Sequence, residues 1–104
     1  MSRNADHVYT AARDIARLEA RIAGLPDDAR VQLSMRDGRV LRGVVAALPT
    51  LQSFYGPGEQ EGLNGVVRLE EPLGAGGVRI HDLWLDEIDA IRPLTAAELG
   101  RSAH

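Results

Sequence analysis

A chain of 104 residues has room for one domain and one modest hydrophobic core. It has no cysteine, which excludes a disulfide scaffold, a thiolate zinc site and a cysteine nucleophile, and its four aromatic residues leave the core to Val, Leu, Ile and Ala. The net charge of −3 is unevenly spread, with eight Arg against six acids in residues 1–48 and four against nine in 49–104, and this acidity argues against strong nonspecific binding of nucleic acid.

Residues 5–25 read as an amphipathic helix, because Val8, Ile15 and Ile22 and also Ala11, Leu18 and Leu25 recur every seven residues along one stripe. Gly24 suits its C-cap and Pro26 stops it. Arg13, Arg17 and Arg21, four residues apart, form a basic line beside the apolar seam. That line is either a solvated face relieved by Asp14 and Glu19 or an anion site.

The stretch from Arg30 to Leu48 has the pattern of a β-hairpin. Val31, Leu33 and Met35 alternate with Gln32, Ser34 and Arg36, and Asp37-Gly38 reverses the chain. A two-residue turn would place Arg42 on the face of Leu33. A three-residue loop, Arg36-Asp37-Gly38 with Gly38 in the left-handed region, instead places Leu41, Gly43, Val45 and Ala47 inside and Arg42 in water. Burying an unpaired guanidinium costs several kcal/mol, roughly, so the bulged register is the expected one. Gly43 inside the second arm marks a bend, a bulge or a close backbone approach.

Residues 49–63 interrupt the β pattern with turn formers, Gly56-Pro57-Gly58 and Gly62, and carry Phe54-Tyr55, aromatics that either fold back over the sheet or stay out to stack on a base or partner. A third strand follows from Asn64 to Glu71, with Leu63, Gly65, Val67 and Leu69 on one face. Val78 to Leu85 makes a fourth, Asp86-Glu87 a tight connection and Ile88 to Arg92 a short fifth closed by Pro93. Thr95 and Glu98 resemble a capping box, so residues 95–104 are expected as a short helical turn and a frayed tail. The domain is thus a single one over 1–104, with the helix at 5–25 and the sheet at 30–93.

No catalytic or metal constellation assembles in this pattern. His81 is the one histidine of the β region, and Asp82 beside it faces the opposite side of the strand. Asp82, Asp86, Glu87 and Asp89 lack the turn glycine and spacing of a cation loop. Gly74-Ala75-Gly76-Gly77 lacks the Lys-Ser/Thr of a phosphate loop. The expectation is a protein that is not an enzyme, with no cofactor and no metal. No apolar run approaches a membrane span and no signal-peptide order opens the chain, so a cytoplasmic protein without a membrane partner is expected.

A helix followed by five short strands, with Asp37-Gly38-Arg39 and Gly43 in the first hairpin, resembles the Sm-like family over roughly residues 5–94. More narrowly, the chain is similar to a group of small, uncharacterised bacterial proteins with that fold. The resemblance implies a mainly β domain, an N-terminal helix on a strongly bent five-stranded antiparallel sheet forming a small barrel of the kind SH3-like domains also approach. Glu61-Gly62-Leu63-Asn64 approximates the family's first motif, whose Asn contacts a base; Asn64 takes that place. The second motif's Arg-Gly is replaced by Leu85-Asp86-Glu87, and the loop at 49–63 is longer than the family's connection.

The function implied is a non-enzymatic binding protein, with single-stranded RNA as ligand, Asn64 on a base and Arg13, Arg17 and Arg21 on phosphates. The competing expectation is an acidic protein-interaction or assembly module that has lost RNA recognition. Family members form rings by pairing strand four with strand five of a neighbour. Here the fourth strand is apolar and carries Trp84, and the fifth is short and closed by Pro93. Asp86, Glu87 and Asp89 would cluster and repel around a ring, so a homo-oligomer, a dimer before a ring, is expected.

Overall fold

The structure is a computed structural model that describes residues 4–102. The tail expected at 103–104 lies outside the described residues. Arg30–Met35 (β1) and Val40–Val45 (β2) form the first hairpin. The N–H of Met35 donates to the carbonyl of Arg39 at 2.8 Å, which leaves Arg36-Asp37-Gly38 as a three-residue loop, with Gly38 at φ +93°. This is the bulged register expected from the charge on Arg42. It pairs Val31 with Gly43 and Leu33 with Leu41, and Arg42 stays off the core face, donating from Nε to Gln32 Oε1 at 2.7 Å. Ala47 was expected inside and is exposed, because β2 ends at Val45 and only the Ala46 N–H, bonded to the Arg68 carbonyl, extends its ladder to β5.

β2 continues the sheet into that strand, Val66–Pro72 (β5), which pairs with Val78–Trp84 (β6); Ile88–Pro93 (β7) pairs with β1. The order is β6-β5-β2-β1-β7 and every pairing is antiparallel, so the expected five-stranded sheet is present. It is open rather than a closed barrel, with β6 and β7 as its edges. Gly43 sets how closely β2 and β5 approach. A Cβ there would stand 2.5 Å from the carbonyl oxygen of Glu70 and 2.9 Å from Leu69 Cγ.

Residues 49–63 are not a loop. Gln52–Tyr55 (β3) and Glu61–Asn64 (β4) form a second small hairpin across a turn at Pro57–Glu59. Phe54 folds back, buried, with its ring edge-on to Trp84 at a centroid distance of 5.0 Å. The single third strand expected from Asn64 is interrupted at Gly65, and the inward phase changes there. Asn64 is buried where Leu63 was expected to be, while Val67 and Leu69 are buried as expected.

The N-terminal helix is shorter than its periodicity implies. Ala12–Ala23 (α1) is helical and ends at Gly24, while residues 4–11 run extended beside β3 and β4. The Ala5 N–H donates to the Tyr55 carbonyl, and Tyr9 and Leu63 exchange both backbone bonds. Those bonds outweigh the helical preference, which is a weak prior. Leu18 and Leu25 reach the core formed by Val31, Leu33, Val45, Val67, Leu69, Leu85 and Ile88. Ala96–Ser102 (α2) opens with the expected capping box: the Glu98 N–H donates to Thr95 Oγ1 and the Thr95 N–H to Glu98 Oε1, both at 3.1 Å.

Candidate binding site

Three separate segments meet at Asn64. It ends β4, and its side chain turns inward at the point where the chain breaks toward β5. Its Nδ2 donates to the His7 carbonyl at 2.9 Å and to Asp86 Oδ1 at 3.0 Å, and its Oδ1 accepts the Gly65 N–H at 2.8 Å. Asp86 lies in the one-turn 3-10 segment Leu85–Glu87 between β6 and β7, and its Oδ2 accepts the Tyr9 hydroxyl at 2.9 Å. His7 Nδ1 stands 3.7 Å from the same oxygen. Asn64 is 0% exposed and Asp86 9%. Burial, then the hydrogen bond to Asp86 and its charge, push the Tyr9 hydroxyl above its ordinary range, with Arg36 pulling weakly the other way. Tyr9 is therefore a stable donor at neutral pH.

The positions of the two resemblance motifs, Asn64 and Asp86, are thus brought into contact. Yet the amide nitrogen and oxygen of Asn64 are both committed inside, so the side chain presents nothing to a base in this arrangement. It pins the extended N-terminal arm, the β4–β5 break and the β6–β7 turn together. The resemblance to the Sm-like first motif is what marks Asn64 in the sequence; its role here depends on partners 57 and 22 residues away.

The basic line on α1 separates. Arg13 is exposed. Arg17 is exposed, with Nη1 3.4 Å from Asp14 Oδ1. Arg21 is half-buried, donating from Nε to the Ile88 carbonyl at 2.7 Å and from Nη1 to the Arg17 carbonyl at 3.1 Å. Arg17 and Arg21 open onto a cavity of about 350 Å³ with Tyr9, Leu18, Arg36 and Asp86. A second cavity, about 420 Å³, shares Arg36 and Asp86 and is walled by Asp37 and Glu87. Arg36 is the residue that sequence reasoning missed. Its place in the first hairpin's loop was legible, but its proximity to α1 was not.

The remaining candidates resolve into pairs. His81 Nε2 meets Glu71 Oε1 at 3.0 Å, while Asp82 Oδ1 accepts from Arg68 Nε at 3.0 Å, on the opposite face as strand alternation requires. Among the described residues no group of three His, Cys, Asp or Glu comes together to hold a metal, and no helix is long and apolar enough to cross a membrane.

Comparison with known proteins agrees with this architecture. Among solved structures, the chain is similar to a Xanthomonas campestris protein whose crystal structure is described as adopting a novel variant of the Sm-like motif. The two are 34% identical with a TM-score of 0.83, over 91% of this chain and 100% of that one. No curated protein matches the chain. Residues 2–94 match the model of a domain of unknown function (DUF3247), and the chain belongs to that family, with an Sm-like fold.

Proposed function

We propose that this protein is a non-enzymatic Sm-like assembly module that works through protein contacts, self-association included, and that has given up base recognition at Asn64. The observation that supports this reading is the complete burial of the Asn64 amide, with its donors and its acceptor satisfied by His7, Asp86 and Gly65. Freeing it would strip hydrogen bonds from buried groups, at about 1–3 kcal/mol for each group left unpaired. Asp86, at the place where the second motif's Arg would meet a phosphate, adds a like charge to any approaching backbone.

The competing reading is single-stranded RNA, with Arg13, Arg17 and Arg21 on phosphates, and it draws support from the exposure of Arg13 and Arg17. Titration of single-stranded RNA at low and moderate salt separates the two. The assembly reading expects no saturable binding tighter than about 0.1 mM at low salt, the weak limit of nonspecific association. Tighter, salt-sensitive binding would overturn it.

A further inference from the structure

We propose that the cavity between α1, the N-terminal arm and the Leu85–Glu87 turn binds a small anion through Arg21 and Arg36, the anion being a phosphomonoester or carboxylate head. Arg21 is half-buried, and both of its hydrogen bonds go to backbone carbonyls, those of Ile88 and Arg17. Among the described residues no carboxylate lies within 4 Å of its guanidinium, and the Arg36 side chain has neither an ion pair nor a hydrogen bond. Two guanidiniums with no carboxylate within 4 Å, the half-buried Arg21 and the exposed Arg36, therefore line one cavity, which Asp14, Asp86 and Asp89 also line.

The acids beside them are largely engaged. Asp14 holds Arg17. Asp86 is buried and accepts from Asn64 and Tyr9. Asp89 is exposed at the rim. The fixed charges of Asp86 and Asp89 limit how much anionic charge the cavity can accept, which suits one head and disfavours a polyphosphate chain. Guanidinium forks recognise phosphate and carboxylate oxygens in paired hydrogen bonds. Arg21 is pre-oriented by its two carbonyls, so it loses little side-chain freedom on binding. Leu18 supplies an apolar wall, and about 350 Å³ sits at the small end of ligand cavities. Arg17 lines the site but already pairs with Asp14, and Arg13 does not line it, so the site differs from a basic line that tracks a polynucleotide.

The test is an NMR titration of the full chain with inorganic phosphate and, separately, with acetate, following the Nε–H resonances of the arginines. Saturable shifts at Arg21 and Arg36 that leave Arg13 and Arg79 still, weakened by added salt, are expected, and the tighter of the two anions identifies the head. Arg36→Gln should weaken binding at least tenfold with the thermal midpoint unchanged, since the side chain supports nothing else. Shifts that stay linear and are shared by Arg13 and Arg79 would overturn the site, as would an Arg36→Gln protein that binds like the parent. Neither result bears on Asn64, so the assembly reading stands or falls separately on the RNA titration.

Discussion

Gly43 and Asn64 carry more of the structure than their size suggests. A Cβ at Gly43 would sit 2.5 Å from a carbonyl oxygen of the paired strand, and backbone cannot swing aside as a flexible side chain can. Gly43→Ala is therefore expected to destabilise by about 1–3 kcal/mol, the usual cost of overpacking, read as a lower urea midpoint at unchanged slope. At Asn64, replacement by Ala leaves the His7 carbonyl, the Gly65 N–H and one oxygen of Asp86 without their partner; a loss of about 2–4 kcal/mol follows by the same denaturation measurement. Asn64→Asp should be worse at neutral pH, because it sets a second carboxylate against Asp86, and partly recover in acid as one of the two takes a proton. An Asn64→Asp protein as stable as the parent at pH 7 would contradict the pinning role. At this scale Gly43 was marked by its place inside a strand, and Asn64 by its resemblance to the Asn of the Sm-like first motif. It did not reveal that Asn64 faces inward, because its partners come from the arm and from the β6–β7 turn.

Elements whose signal is local were legible, and those decided by distant contacts were not. The first hairpin, its bulged loop, the strands from Val66 to Pro93 and the Thr95–Glu98 capping box all rest on alternation, turn chemistry or side-chain spacing within a few residues. The N-terminal arm carries a helical period at Val8, Ala11 and Ile15 yet is extended up to Ala11, because β4 offers it backbone partners. The β3–β4 hairpin escaped notice because its inward positions include Gly62 and Asn64 rather than a run of large apolar residues. The capping box yields a pH prediction. The Thr95 backbone N–H, then Arg92, pull the Glu98 carboxyl from 4.5 to about 2. A depressed carboxyl stabilises the fold above its unfolded value and loses that contribution as pH falls through its folded one. The start of α2 should therefore loosen between about 4.5 and 2, seen as rising amide exchange at Ala97 to Leu99. Glu98→Gln, which lacks the titration, should show no such loosening over that window. If the parent and variant respond alike, the capping box is not the cause.

The open sheet decides what the whole molecule can do. Among the described residues neither β6 nor β7 has a strand partner on its outer side, and an unpaired edge is a template for another strand. β6 is the better candidate: it is seven residues long, against six for β7, and Val78 and Ile80 stand 50% and 51% exposed on the face that also carries Val66 and Trp84. The Arg68–Asp82 pair interrupts that stripe, which keeps it from being a continuous apolar surface. β7 presents Asp89 and ends in Pro93, and Glu87 stands just before it. In a ring that joined β6 of each copy to β7 of the next, these acids would recur around the axis. Exposed like-charge contacts cost only about a few tenths of a kcal/mol each, but a ring repeats them at every interface. Pairing β6 with β6 about a two-fold axis avoids that repetition and covers Val78 and Ile80 on both copies with a self-complementary patch. Light scattering at micromolar concentration is therefore expected to give twice the 11.3 kDa chain mass, and Ile80→Arg should return it to 11.3 kDa, with a cooperative thermal transition whose midpoint no longer depends on concentration. A parent protein already at the chain mass removes the self-association argument. A mass of six or seven chains assigns the β6–β7 ring, and Ile80→Arg would then be expected to open it into shorter arcs.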